Sequence, residues 1–240
     1  MRINIHKSND RAFADYGWLK TRHSFNFADY FNPMRERFGV IRVLNDEIIE
    51  PGCGFDIHEQ KNLEILLLPL NGELKYQDQT GTNTTVGHDE ALIISAGVGI
   101  IHAFGNNSES LPLEVLQIWL FPKVKDIEPR IQCLQFNARE RKGKLQLIAS
   151  TEIISDVLWI NQYAWISRIE LKKNQSYKYS LHKVSNVVLI FVIEGSIQLM
   201  GDRDMVGYHR DSLEITEIDG PIEILASLDA NLLIFDVPID

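Results

Sequence analysis

From about Gly39 onward the chain is a succession of short apolar runs, each closed by a turn signal, and this rhythm constrains the fold most. The pattern predicts strands at Val40–Leu44, Leu63–Leu68, Glu73–Gln77, Ala91–Ser95, Gly99–Ala103 and Leu113–Leu120. Between them lie Asn71-Gly72, Gln79-Thr80-Gly81-Thr82, His88-Asp89 and Gly105-Asn106-Asn107-Ser108, residues that favour tight turns. A second set follows at Ile131–Phe136, Leu145–Ala149, Ala164–Leu171, Val187–Ile193, Ser196–Met200, Leu213–Thr216, Ile222–Ala226 and Leu232–Val237. Many short strands with little helical periodicity between them indicate an all-β sandwich or barrel.

The two sets echo each other. Leu70-Asn71-Gly72-Glu73-Leu74 matches Ile193-Glu194-Gly195-Ser196-Ile197, and Asp89-Glu90-Ala91-Leu92 matches Arg210-Asp211-Ser212-Leu213. Ile118-Trp119-Leu120-Phe121-Pro122 matches Ile234-Phe235-Asp236-Val237-Pro238 in the same order. An ordered set of weak matches is what a duplicated domain leaves behind. The polar, proline-bracketed stretch Pro122–Pro129 reads as the joint. The division expected is therefore 1–122, a linker at 123–130, and 131–240. The first 40 residues are rich in aromatics without regular periodicity and read as a packed apron on the first domain. Arg139–Lys144 reads as a solvated charged loop.

Composition excludes several classes. A net charge of −9 over 240 residues counts against direct nucleic-acid binding, which needs a basic face. It leaves a protein partner open. The apolar run Val187–Ile193 is far too short to span a bilayer, and Met1–Asp10 lacks a signal-peptide pattern. Cys53 and Cys133 form neither a zinc spacing nor a disulfide framework. A soluble cytoplasmic protein without a membrane partner is the expectation. Oligomeric state is not legible.

The chemistry concentrates in two stretches. In Gly52-Cys53-Gly54-Phe55-Asp56-Ile57-His58-Glu59-Gln60, an extended chain puts His58 and Gln60 on one face. In Gly97-Val98-Gly99-Ile100-Ile101-His102-Ala103-Phe104, His102 and Phe104 share a face in the same way. Two histidines from two strands begin a metal site. The remaining histidines, tryptophans and serines carry no comparable pattern, and Cys53 reads as a buried structural thiol.

Gly52-x5-His58-x-Gln60-x3-Glu64 with Gly72 resembles the first signature of the cupin superfamily, and Gly97-x-Gly99-x2-His102-x3-Asn106 resembles the second. Gly17-Trp18-Leu19, His23-Ser24-Phe25-Asn26-Phe27-Ala28-Asp29-Tyr30, Asn32-Pro33 and Arg42-Val43-Leu44-Asn45-Asp46 are similar to the pirin family, whose members are bicupins. The resemblance implies two jelly-roll-like β-barrels in tandem, with a metal pocket in the first. It implies iron or another divalent metal held by His-x-His and His-x-Glu, and in some members quercetin 2,3-dioxygenase activity.

Carried over, His58 and His102 match two ligands, while Gln60 and Phe104 replace the other two. Tyr76 stands where active relatives often carry histidine. Gln60 offers a poor neutral oxygen and Phe104 no lone pair, so tight metal binding is expected to be lost. Glu64 could restore a two-histidine, one-carboxylate face with His58 and His102. Two functions follow. One is a non-catalytic protein that binds a small aromatic molecule or a protein partner in a pocket of Gln60, Phe104, Tyr76 and Glu64. The other is a metal-dependent quercetinase-type dioxygenase using His58, His102 and Glu64 or Gln60.

Overall fold

The computed structural model describes residues 1–200 and 205–240. The first half carries β1 (Arg2–His6), β2 (Ala12–Asp15), β3 (Leu19–His23), β4 (Ile41–Ile49), β5 (Gly54–Gln60) and β6 (Glu64–Asn71). It continues with β7 (Leu74–Asp78), β8 (Asn83–Val86), β9 (Glu90–Ser95), β10 (Ile100–Asn106), β11 (Leu113–Leu120) and β12 (Arg130–Gln135). The second half carries β13 (Gln146–Ser150), β14 (Leu158–Trp159), β15 (Trp165–Leu171), β16 (Ser176–Tyr179) and β17 (Val187–Glu194). It ends with β18 (Ser196–Leu199), β19 (Val206–Tyr208), β20 (Ser212–Thr216), β21 (Ile222–Ala226) and β22 (Ala230–Val237). The fold is all-β, a bicupin.

The N-terminal unit packs one sheet, β12-β9-β6-β11-β4-β3-β2, over another, β5-β10-β7-β8. Its core is the row Ile49, Ile65, Leu67, Leu92, Ile94 and Val115 set against Leu74, Tyr76, Val86, Ile100 and Phe104. The strands alternate because only every second side chain reaches this interior. The C-terminal unit repeats the plan, with the order β1-β20-β17-β22-β15-β13 in one sheet and β16-β21-β18-β19 in the other. There Val188, Ile190, Leu232 and Ile234 belong to the same core as Ile197, Leu199, Ile222 and Ile224. Each fully buried aliphatic side chain contributes about 1.5–3 kcal/mol, so either core is ample for a barrel.

The sequence echo is a structural repeat. The β6–β7 and β17–β18 turns pivot on Gly72 and Gly195, with φ of +85° and +81°. Asp89 and Arg210 enter β9 and β20 with φ of +68° and +64°. A β-carbon is disfavoured in that left-handed region, so both residues carry a local backbone cost.

The expected domain limits need three corrections. Met1–Arg11 belongs to the C-terminal unit, because β1 pairs with β20 and Ile3 and Ile5 pack on that core. Arg130–Gln135 belongs to the N-terminal unit, because β12 pairs with β9. Residues 123–130 are therefore a crossing within one barrel, not an interdomain linker, and Thr151–Gln162 also returns to the N-terminal unit. The aromatic apron contains strands: β3 alternates buried Leu19, Thr21 and His23 with exposed or half-buried Lys20 and Arg22.

Candidate metal and ligand site

β5 and β10 lie side by side with His102 opposite His58 and Ile100 opposite Gln60. Ile100 and Phe104 are core residues, so His58, Gln60 and His102 share the inward face. The strands can lie this close at their far end because neither Gly54 nor Gly105 has a side chain. A β-carbon on Gly54 would stand 2.5 Å from the Gly105 Cα.

The register breaks between His102 and Phe104, where Phe104 pairs with Phe55, so β5 carries one extra residue in a bulge. The bulge turns Ile57 outward, 69% exposed, and places His58 Nδ1 2.8 Å from the Asp56 carbonyl. A carbonyl only accepts, so Nδ1 carries the hydrogen and Nε2 keeps its lone pair. The His58 and His102 ring centroids are 4.6 Å apart.

His102 is 2% exposed, and neither of its ring nitrogens has a hydrogen-bond partner. Burial, helped by the neighbouring His58, brings its pKa down to about 4 against the opposing pull of Asp78. Two unpaired polar atoms in one buried ring are uncommon and point to a missing partner.

On its other side β10 pairs with β7, setting His102 opposite Asp78 and Phe104 opposite Tyr76. Asp78 Oδ1 accepts from the Thr80 amide and hydroxyl at 2.7 and 2.6 Å, while its buried Oδ2 has no well-formed hydrogen bond and the carboxylate interacts with the Tyr76 hydroxyl. Burial works against its ionisation, but the Thr80 and Thr82 donors outweigh burial and hold its pKa below the usual carboxylate value. The Tyr76 hydroxyl is buried without a well-formed hydrogen bond, and burial together with the Asp78 charge pushes its pKa up. Phe104 lies 4.6 Å from Phe55, the rings tilted by 34°, and sets apolar surface where the family motif carries glutamate.

Glu64 does not join this group. Its neighbour Ile65 and next-but-one neighbour's neighbour Leu67 face the core, so Glu64 points to the opposite face of β6. There it accepts from Ser95 Oγ at 2.7 Å and the Asn161 amide at 3.1 Å. Burial raises its pKa to about 7, these hydrogen bonds opposing. The three-ligand set of His58, Glu64 and His102 is therefore not assembled. Among the described residues no three His, Cys, Asp or Glu side chains stand close enough to hold an ion. The two imidazoles fit a divalent transition metal; the compensating anion is absent from their immediate contacts, and Asp78 is the carboxylate that register places nearest His102.

A cavity of about 450 Å³ opens along β5, β7 and β10. Tyr76 and Phe104 line it with Cys53 and Phe55; Gln60, Glu64, His58 and His102 do not. Cys53 and Cys133 are free thiols, and burial pushes Cys133 up to about 11.

A second polar group was not read from the sequence. On the inward face of the opposite sheet, His23 Nδ1 lies 2.9 Å from Asn45 Oδ1, and Asn45 Nδ2 donates to Glu47 Oε1 at 3.3 Å and Gln117 Oε1 at 3.4 Å. Its signal was a polar Asn45-Asp46-Glu47 stretch inside β4, whose predicted end at Leu44 hid it. In the C-terminal unit, Asp236 accepts from Tyr179, His182 and Asn186 at 2.6–3.1 Å, so this carboxylate is satisfied internally.

Comparison with known proteins agrees with this architecture. The Pirin family pattern matches residues 6–120, and that of the quercetinase C-terminal cupin domain matches residues 147–237. A quercetin 2,3-dioxygenase from Escherichia coli is 34% identical over 238 residues, covering 98% of this chain and 99% of the relative. The crystal structure of YhhW from Escherichia coli is 33% identical with a TM-score of 0.93, covering 99% of this chain and 98% of its own. Bacterial pirin YhhW in complex with nickel(II), also 33% identical, gives a TM-score of 0.92 with 99% of both chains covered. These relatives lend no support to the expectation of a degraded metal site. Among the described residues no helix is long and apolar enough to cross a membrane. The chain belongs to the pirin family.

Proposed function

We propose that the chain is a divalent-metal-dependent dioxygenase of quercetinase type, with the metal held in the N-terminal barrel by His58 and His102. The observation that carries this reading is the facing imidazole pair, with His102 doubly unpaired and His58 fixed in the tautomer that frees Nε2. The names of the relatives support it. When bound, such a metal supplies Lewis acidity and a template for oxygen and a hydroxylated substrate. The protein does the rest. Phe55, Phe104 and Tyr76 offer aromatic faces to a flat guest and exclude water. Asp78, held ionised by its Thr80 and Thr82 donors and standing opposite His102 in register, is the carboxylate placed to accept a hydrogen bond from a guest hydroxyl.

One observation favours a second reading, a binding protein without turnover: Phe104 replaces the anionic ligand, and among the described residues no third His, Cys, Asp or Glu joins the pair. Reconstitution with iron(II) or nickel(II), followed by loss of quercetin absorbance in air, separates the two. The dioxygenase reading predicts metal-dependent loss that disappears in His102→Ala. Saturable quercetin binding with no loss under either metal selects the binding protein.

A further inference from the structure

The N-terminal barrel has a second wall of unused donors facing its interior. Glu47 shares a face of β4 with the core residue Ile49, and its register partners are Thr21 on β3 and the core residue Val115 on β11. It is therefore turned inward, with no solvent exposure, and its Oε2 has no hydrogen-bond partner. Trp119 lies opposite the core residue Ile65 and packs on the same core, and its buried Nε1 is also unpaired.

These groups look into the same interior as the histidines. Asn106 Nδ2 donates to the Ile49 carbonyl at 3.0 Å, tying the end of β10 to the end of β4. Phe55 packs edge-on against Trp18 beside that tie. His102 and Asn45 each lie four residues back from that tie along their strands. Burial holds the Glu47 carboxyl protonated up to a pKa of about 8, with the Asn45 hydrogen bond opposing, so near neutral pH it is a donor. A native interior rarely leaves such groups unpaired on facing walls unless something else satisfies them.

The geometry points to Glu47 and Trp119 as a guest-binding wall, whose two donors meet separate acceptor oxygens of a small oxygenated aromatic molecule held in the barrel with His58 and His102. This deepens the proposed function. It rests on the barrel taking such a guest, which both readings share, and not on a metal.

The test uses the full-length protein with quercetin as probe, anaerobically and with chelator present. Binding is measured for wild type, Glu47→Leu, Glu47→Gln and Trp119→Phe, with thermal unfolding as the folding control. Glu47→Leu and Trp119→Phe each weaken binding about three- to tenfold, the usual worth of one hydrogen bond, whereas Glu47→Gln keeps an N–H donor and binds within about twofold of wild type. Infrared difference spectra of the wild type show a protonated-carboxyl stretch that shifts on binding and is missing in Glu47→Gln. Should Glu47→Leu fail to fold, Trp119→Phe and the infrared shift decide. Unchanged affinity in the folded variants together with an unshifted carboxyl band overturns the wall, leaving internal water as what satisfies these groups. Absence of any wild-type quercetin binding is a different failure, that of the guest-binding barrel itself, and takes this wall with it.

Discussion

His58 and His102 face each other directly across the β5–β10 ladder, ring centroids 4.6 Å apart, with the Asp56 carbonyl fixing the hydrogen of one ring and nothing pairing either nitrogen of the other. The site's chemistry depends on how little else reaches that pair.

Gln60→His combined with Phe104→Glu supplies the two ligands that the family motif carries. Without metal, the new carboxylate at a 3% exposed position among Phe55 and Tyr76 destabilises the barrel by about 3–5 kcal/mol, since it loses ring packing and buries an unpaired charge. Metal binding recovers that loss through linkage. Thermal unfolding with and without nickel(II) shows a larger metal-induced rise in Tm for the double variant than for wild type.

Gly54→Ala tests the strand approach that sets the histidine pair. Its β-carbon would collide with the Gly105 backbone, forcing β5 away from β10. Stability falls by roughly 2 kcal/mol or more, within the range of overpacking effects. Metal affinity drops with it, measured by calorimetric titration.

Glu64→Gln leaves metal binding unchanged, because Glu64 faces away from the barrel interior. It alters the pH dependence of stability instead. Glu47 and Glu64 both hold their protons more tightly when folded, with pKa values near 8 and 7 against an ordinary 4.5. Below about pH 4 both states are protonated and neither group affects folding. Between about pH 4.5 and 8 the unfolded chain ionises first, so stability declines as pH rises, with Glu47 contributing over the wider range. Denaturant titrations across this range show a shallower decline for Glu64→Gln, confined to the part below about pH 7.

Asp236→Asn removes the hub of the polar cluster in the C-terminal barrel. The carboxylate accepts from Tyr179, His182 and Asn186, and the His182 and other donors outweigh burial to hold its pKa below the ordinary value. The change costs about 3 kcal/mol, as expected when a buried, hydrogen-bonded charge is removed and its donors are left behind. Metal and quercetin binding to the N-terminal barrel stay as in wild type, which a urea melt paired with the binding assay checks.

Strand positions were legible because glycine and asparagine turns punctuate alternating apolar runs; Leu113–Leu120 and Ile222–Ala226 match to the residue. The pairing of β1 with the C-terminal barrel was not, since Ile3 and Ile5 give a local alternation but no address some 200 residues away. The orientation of Glu64 was lost for a related reason. Its even spacing from His58 and Gln60 suggests a shared face, but the chain turns at Asn62, φ +52°, and the alternation restarts outward. His58 and His102 were readable because a strand fixes which residues share a face; Glu47 was not, because an acidic residue in an inward row looks like a strand end.

The most direct test is metal content per chain. Wild type, His58→Ala and His102→Ala are loaded anaerobically with iron(II) or nickel(II), freed of excess metal, and assayed by elemental analysis. A metal site built on the facing imidazoles predicts close to one equivalent in wild type and little in either variant. A wild-type chain that retains no metal at saturation, or variants that retain as much as wild type, would contradict it.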